Sequence, residues 1–527
     1  MQIRKLRIDD HKCLVDFHID FETLYGGSST ILIGENGAGK STMLNTIVEI
    51  LMSFDSRAVE NRIRYNYELV YMFAGKEVSI IGENRYYRID VDGITICNGS
   101  FATVRRQLAE YSESIFPERI ITFYSGANDQ LSWHHYRIGL DYRNACRKAV
   151  RQYRNTIMHG EFYDKYIPKR KYNRCIEELT PIYLLAILCG GNSVERDYLQ
   201  EHCHYGDIQN VTVSIDTEML AKVFPESQDL ASEPFMEMLI EFLDDRFMFW
   251  FHHGFLYQKG NRAYYSLGNF SDVEIDSISI YNFFEKLQML LDAKCSVHLS
   301  VGESRVDCDH LSEGQRQLIK ILGMLGICKS EDCLVIMDEP DAHMNPRWKY
   351  ELKKIIDDSL EEAVNTQALI ATHDPLVING VEKEFVRIFT HNRRLADENG
   401  FYFTQVIEPT EDTIGMGIDG LLQSQYYGLN TTLDYRSQDK LEEKRELMVK
   451  RKRGELTSGE RQRLLELTEE LENMAFSRNI PTDNYYDDFV TAIHDIYRTR
   501  PMVNFSPEEI EEKNRLLREI AEDLMGI

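Results

Sequence analysis

The sequence predicts an α/β fold: a buried, mainly parallel sheet whose two halves lie far apart in the chain, separated by a mainly helical insertion. Three observations predict it. The apolar strand Thr30-Ile31-Leu32-Ile33 runs into Gly34-Glu35-Asn36-Gly37-Ala38-Gly39-Lys40-Ser41 and then into an amphipathic helix, Thr42 to Leu51. A second apolar run, Cys333 to Met337, ends in Asp338-Glu339-Pro340-Asp341. Between them stands Leu311-Ser312-Glu313-Gly314-Gln315. Continuous apolar runs are what strands covered on both faces of a parallel sheet require.

Taken in order, Ile3 to Ile8 reads as the first strand. The glycines after Ile33 permit a tight turn whose N–H groups converge on an anion, and the helix N-terminus adds a favourable field. Lys40 is placed to reach the β- and γ-phosphates of a nucleotide, and Ser41 to ligate Mg²⁺. Further strands are Val78 to Ile81, Tyr86 to Val91 and Ile120 to Tyr124. Gln130, just past the last of these, is the candidate polar side chain brought to Mg²⁺.

Leu334 to Met337 presents side chains at its C-terminal end, where α/β folds bind ligands. Asp338 is placed to hold Mg²⁺, directly or through water, and Glu339 to act as general base toward an attacking water. Ala368 to Thr372 is another apolar strand, and His373 at its end falls beside the expected γ-phosphate.

These residues resemble the ABC ATPase superfamily, and within it the soluble SMC, RecF and OLD-like branch rather than the transporters. The resemblance covers residues 1–50 and roughly 300–380. It implies ATP and Mg²⁺ as cofactors. Gly34, Asn36, Gly37, Gly39, Lys40, Ser41 and Thr42 would cradle the chain's own nucleotide. Ser312, Gly314 and Gln315, with Asp341 in the following loop, would touch the nucleotide of a second subunit. The minimal assembly is then a homodimer, two heads sandwiching two ATP molecules, with higher oligomers left open. The signature departs from the family's usual pattern in carrying Glu313. Leu456-Thr457-Ser458-Gly459-Glu460 looks similar but follows the catalytic strand, in the wrong order; Thr457 and Glu460 there read as a capping box.

The chain has 527 residues, 43% of them hydrophobic, enough for two or three domains. Its ten cysteines show no C-x-x-C pair, which predicts reduced thiols and no zinc framework. His202-Cys203-His204 lacks a second ligand pair. Met1 leads into a strand rather than an apolar leader, and Met248-Phe249-Trp250-Phe251 is too short to span a bilayer; the expectation is a cytoplasmic protein without membrane contact. A net charge of −26 argues against a chain coated in nucleic acid. From Arg143 to Arg174, however, ten Lys or Arg face only two acids, with Tyr142, Tyr153, Tyr163, Tyr166 and Tyr172 interleaved. That strip suits a nucleic-acid backbone and unstacked bases, or else is a solvated helix face.

The expected organisation is a first half-head at 1–125, an inserted lid at 126–299, the second half-head at 300–409 and a helical partner-docking region at 410–527. Leu179 to Cys189 and Glu233 to Phe251 read as helices of the lid, and Val211 to Ile215 as a strand. Sustained heptads are absent, which excludes long coiled-coil arms. The charged tail from Asp439 to Met474 reads as two antiparallel helices broken at Gly454, and a last helix spans about Pro507 to Met525.

No nuclease constellation is visible in 380–527. Gly417-Ile418-Asp419-Gly420-Leu421-Leu422 and Tyr426 to Thr432 resemble the region after the head in PtuA-type ATPases of Septu and some retron anti-phage systems. That resemblance implies an ATPase without a nuclease of its own, controlling a separate HNH-type nuclease subunit and sensing nucleic acid. The alternative is a RecF-like or SMC-like repair ATPase that binds DNA without an effector.

Overall fold

The computed structural model describes residues 1–472 except 22–28, 126–130, 160–166, 168, 191–192, 204–207, 217–232, 268–274, 292–294, 302–303, 330–331, 362, 364–365, 397–401 and 430, and beyond 472 only Arg515. Gln130, Tyr163, Tyr166 and the helix expected at 507–525 therefore lie outside the described residues. The chain divides into two units, 1–378 with 384–408, and 379–383 with 409–527.

The first unit is built on a seven-stranded sheet in the order β18-β17-β3-β16-β15-β8-β9. Its strands are β3 (Ser29–Gly34), β8 (Arg119–Tyr124), β9 (Tyr172–Cys175), β15 (Cys333–Asp338), β16 (Gln367–Ala371), β17 (Val386–Ala396) and β18 (Tyr402–Ile407). All neighbours run parallel except the edge pair β17–β18. Every residue of β15 and β16 is buried, as the unbroken apolar runs require. β9 comes from inside the insertion yet forms an edge of this sheet, so the chain returns to the head there.

Helix α1 (Lys40–Asp55) follows β3 and is buried almost all round. It packs between the parallel sheet and a six-stranded antiparallel sheet, order β2-β1-β4-β5-β6-β7. That sheet contains β1 (Gln2–His11), β2 (Leu14–Asp20), β4 (Tyr67–Phe73), β5 (Lys76–Glu83), β6 (Tyr86–Val91) and β7 (Ile94–Ser100). β4 alternates buried and half-buried residues, the mark of a strand with one face in the core. Leu44, Ile47, Val48 and Leu51 meet Leu6, Ile8, Leu69 and Ile80 in one cluster. Burial of each such side chain contributes roughly 1.5–3 kcal/mol.

The insertion is mainly helical. Its helices include α2 (Ser132–Met158), α3 (Thr180–Cys189), α4 (Ser193–Cys203) and α5 (Ser277–Leu291). The signature segment then opens α6 (Glu313–Ile327), and α7 (Pro346–Leu360) follows β15. α3 is wholly buried and packs on α5 and α6. The insertion also carries a five-stranded antiparallel sheet, order β11-β12-β10-β13-β14, of which the sequence reading held only part of β10. These strands are β10 (Ile208–Asp216), β11 (Phe255–Lys259), β12 (Arg262–Ser266), β13 (Cys295–Val301) and β14 (Ser304–Asp307). β11–β12 and β13–β14 are local hairpins, but β10 joins them through pairings across long sequence separations, which leave little local signal. Ser214 Oγ, His298 and Asp307 line up across it at 3.2 and 2.5 Å in the order of a nucleophilic triad. Ser214 is fully buried, so the chain of bonds ties strands together and offers no nucleophile to solvent.

The second unit contains the antiparallel pair α8 (Tyr435–Arg453) and α9 (Ser458–Glu472). Gly454 caps α8 with a left-handed backbone. Thr457 and Glu460 form the reciprocal capping box that opens α9, at 2.9 and 3.3 Å. Leu447, Leu464 and Leu467 fill the space between the helices, and Arg463 bonds Glu443 through two contacts of 2.8 Å.

Candidate nucleotide-binding site

Strand register brings the sequence motifs together. In the parallel sheet β3 lies beside β16, and β16 beside β15, with Ala371 paired to both Leu32 and Asp338. The ends of all three strands therefore open on one edge. The phosphate loop, Asp338-Glu339 and Thr372-His373 leave the sheet side by side.

Gly34 closes β3 with φ of 137°, and a Cβ there would lie 1.8 Å from the carbonyl oxygen of Phe389 on β17. No other residue fits. Glu35, Asn36 and Gly37 form an exposed turn, and Gly39, also at positive φ, leads into α1. The first N–H groups of α1 have no intrahelical partners and point out of the loop. Lys40 is buried, and its Nζ donates to the carbonyls of Gly34 at 2.8 Å and Glu35 at 3.2 Å. Burial pulls its pKa down, opposed by the carboxylates of Glu339, Asp338 and Glu35. Ser41 Oγ donates to Asp338 Oδ1 at 2.9 Å, while Thr42 is half-buried one position further along α1.

Ser41 and Asp338 supply two hard oxygen donors at one point, the donor chemistry Mg²⁺ prefers. The glycine turn, the buried cation and the free helix N-terminus fit a polyphosphate beside it. The residues present thus fit MgATP. Gln130, the third expected ligand, lies outside the described residues.

Glu339 carries a left-handed backbone, φ 56°, and its N–H donates to the Ala371 carbonyl at 2.8 Å. A non-glycine residue in that region stores roughly 1–3 kcal/mol of strain and is held by its surroundings. Its carboxylate lies 2.5 Å from His373 Nδ1, with the His373 side chain 60% exposed. Burial raises the Glu339 pKa, against the lowering effects of the His373 bond and the Lys40 charge. A partly buried carboxylate with raised pKa, oriented by a histidine at a strand end, suits proton abstraction.

Ser312 caps α6 and exchanges bonds with Gln315, which closes a capping box at 3.0 and 3.3 Å. Ser312 is exposed and Gly314 and Gln315 half-buried, so the helix N-terminus faces outward. Space at Gly314 is tight: a Cβ would lie 3.0 Å from the His343 carbonyl oxygen and 3.3 Å from Trp348. Glu313, the departure from the family pattern, pairs with His343 at 3.3 Å.

Asp341 stands in the turn after β15. It is 2% exposed and accepts from Thr372 Oγ1 at 2.8 Å. Burial raises its pKa. Its side chain braces the turn after β15 against the end of β16. Thr372 was missed by sequence reasoning, although a Thr directly before the candidate sensor histidine was a usable signal. Tyr124, whose hydroxyl donates to Asn45 Oδ1 at 2.6 Å, left no such signal.

The basic strip is also redrawn. Tyr142, Tyr153 and Tyr172 are core residues, and Tyr172 bonds Asp55 and the Leu51 carbonyl. Arg170 is bonded to Glu285, Lys171 to Asp55 at 3.0 Å and Lys169 to Glu118 at 3.3 Å. The cations of Arg143–Arg174 that remain exposed on α2 are Lys148 and Arg151. His202 is buried, 3.2 Å from Glu351 and edge-on to Trp348. The ten cysteines are free thiols, all but Cys13 buried. Among the described residues no helix is long and apolar enough to cross a membrane.

Residues 5–125 match the family described as "AAA domain", and residues 301–379 the family described as "AAA domain, putative AbiEii toxin, Type IV TA system". The chain is 26% identical over 144 residues to the Septu protein PtuA of Bacillus mycoides (strain KBAB4). That stretch covers 26% of this chain and 19% of the relative, so the chain spans about a fifth of its length. An Smc head bound to the C-winged helix domain of ScpA aligns over 78% of this chain and 98% of its own, at 11% identity and a TM-score of 0.34. The SMC head domain from Thermotoga maritima gives 12% identity and a TM-score of 0.31, over 78% of this chain and all of that one. Motifs, topology and matched families fit a P-loop ATPase head of α/β class.

Proposed function

We propose that this chain binds and hydrolyses ATP as the regulatory subunit of a Septu-type anti-phage defence system. It controls a separate HNH-type nuclease through nucleotide-dependent dimerisation, and senses nucleic acid. One observation carries the catalytic part: the Ser41–Asp338 and Glu339–His373 pairs stand together at the ends of adjacent strands beside the phosphate loop. The similarity to PtuA supports the defence assignment.

Gly34, Asn36, Gly37, Gly39, Lys40, Ser41 and Thr42 hold the phosphates through backbone N–H groups, a buried cation and hydroxyls. Ser41 and Asp338 hold Mg²⁺, which neutralises charge on the phosphates. Glu339 takes the proton of the attacking water. His373 orients that carboxylate and faces the γ-phosphate. Ser312, Gly314 and Gln315, at an outward-facing helix N-terminus, bind the partner's γ-phosphate, because a helix N-terminus favours an anion. Two heads are thereby closed by ATP and released by hydrolysis. The second unit docks the nuclease.

Deletion of 439–527 in a strain carrying the native neighbouring genes tests the assignment. ATP binding is retained, and co-purification of an HNH-type nuclease is lost. Retention of that partner by the truncated chain places docking elsewhere. If the full-length chain brings down no nuclease, the repair-type alternative is favoured. DNA cleavage by the purified chain by itself refutes the assignment to a separate effector.

A further inference from the structure

The helical hairpin of the second unit separates its charges along its length. From Lys444 to Arg463, the stretch around the turn that joins α8 to α9, stand eight Lys or Arg and three acids. The remainder, 434–443 with 464–472, holds eight acids and two bases. Cross-helix bonds fix which end is which: Lys440 pairs with Glu470 at 2.7 Å, Arg463 with Glu443 at 2.8 Å and Lys450 with Glu460 at 2.7 Å. The hairpin is an acidic stem with a basic tip, in a chain whose net charge is −26.

The acids of the tip gather on one cation. Glu460 accepts from Lys450 and from Thr457, and these bonds hold its carboxyl down at about 2. The Glu460 bond raises the Lys450 pKa, and the charges of Glu446 and Glu455 add to the rise. Lys444, Arg445, Arg451 and Arg461 form no ion pair among the described residues, and the last three are exposed. Lys444 and Arg451 share one face of α8, about 10 Å apart along its axis. The helix dipole accounts for part of this pattern. It favours cations in the last turn of α8, and its effect fades within that turn. Lys444 and Arg445 lie about two turns from the end of that helix. Arg461 lies in the first turn of α9, where the dipole opposes a cation. Like charge held at both places is balanced by an anion from outside the hairpin.

The chemistry of that anion follows from what the tip lacks. No aromatic residue occurs from Arg436 to Glu472. Unstacked bases require aromatic faces, so the tip is equipped for phosphates alone. A duplex offers phosphates at the highest density, about one charge per 1.7 Å of axis. We infer that the tip of the α8–α9 hairpin binds the phosphate backbone of a duplex nucleic acid, without sequence preference, through Lys444, Arg445, Arg451 and Arg461. The inference rests on the nucleic-acid part of the functional reading. It moves the contact from the Arg143–Arg174 strip to the unit assigned above to the nuclease, so that one unit holds a duplex and the enzyme that acts on it.

Fluorescence anisotropy of the full-length protein with a labelled DNA duplex, an RNA duplex and the single DNA strand of the same sequence, over a range of salt, tests it. A duplex should bind tighter than the single strand, and the tighter of the two duplexes names the source. Arg445→Gln with Arg451→Gln and Arg461→Gln should weaken DNA-duplex binding at least about tenfold at low salt and lower the slope of log K against log salt by about 2.7, or about 0.9 per lost phosphate contact. Glutamine suits helix positions and breaks no ion pair there, so the helices should persist, which hydrogen exchange in 435–472 checks. Arg461→Gln by itself should lower the slope by about 0.9. Lys148→Gln with Arg151→Gln removes charge from α2 and should leave duplex affinity little changed; a drop matching that of the tip variant assigns the contact to α2 instead. Equal affinity of the wild type for single strand and duplexes overturns the inference, as does a folded tip variant with the wild-type slope; both leave nucleic-acid sensing intact. Loss of the co-purifying nuclease from the tip variant, with duplex affinity unchanged, also overturns it and assigns the tip to the partner protein. A wild-type chain that binds no nucleic acid removes the sensing reading and this inference together.

Discussion

Replacing Glu339 by Gln isolates one function of one group. The amide has the size of the carboxylate, and the left-handed backbone at φ 56° costs the same for both residues, so strain cancels between variant and wild type. The amide oxygen still accepts from His373, 2.5 Å away in the native geometry. What disappears is the proton acceptor. A positioned general base contributes roughly 10²–10⁴-fold, equal to about 2.7–5.4 kcal/mol of barrier. Turnover should fall by that factor. Nucleotide binding should hold or tighten, because one negative charge beside the phosphates is removed while Lys40, Ser41 and Asp338 stay. The closed dimer should then accumulate. Steady-state phosphate release measures the first effect, titration with a fluorescent ATP analogue the second, and light scattering with and without ATP the third. A Glu339→Gln protein that turns over within tenfold of wild type refutes the assignment of the base.

The trans contact predicts complementation. Ser312→Arg and Lys40→Ala chains should each be inactive, and an equal mixture should recover about a quarter of wild-type activity, since half of randomly paired dimers hold one intact composite site of two; a mixture no better than either variant speaks against it. The His373–Glu339 pair predicts a pH effect of defined sign. Burial raises the Glu339 pKa and His373 opposes that rise, so His373→Ala should raise it further. The base is active only when deprotonated, so the acid limb of the kcat profile should move to higher pH; a limb that stays or moves down contradicts the geometry. In the helical hairpin, Leu467 is fully buried against Leu447 and Leu464. Leu467→Ala should cost about 2–5 kcal/mol there and speed hydrogen exchange in 435–472, with ATPase activity of the head unchanged.

Much of the site was legible because its chemistry is local. The phosphate loop is contiguous, and its glycines, lysine and serine act through the backbone geometry of one turn. The Asp338-Glu339 pair is contiguous with the apolar strand that positions it. The hairpin of α8 and α9 declared itself for the same reason: Gly454, the Thr457–Glu460 box and the leucine spacing act within a few residues of one another. In each case the interaction that makes the structure is short in sequence, so it leaves a pattern.

What the sequence could not carry is burial and partnership between distant segments. A tyrosine in a basic strip reads the same whether it faces solvent or the core. Tyr142, Tyr153 and Tyr172 are inside only because α2 and β9 pack onto the head. Asp341 reads as a loop acid until β16 brings Thr372 within 2.8 Å of it. The five-stranded sheet is made by pairings such as Val213 with Val297 and with Tyr265, too far apart to leave a local pattern. By itself the sequence determined the nucleotide chemistry, because that chemistry is written in contiguous turns and strand ends. Which polar groups are free to meet a ligand was decided only by the tertiary fold, because desolvation and pairing depend on neighbours the chain supplies from elsewhere.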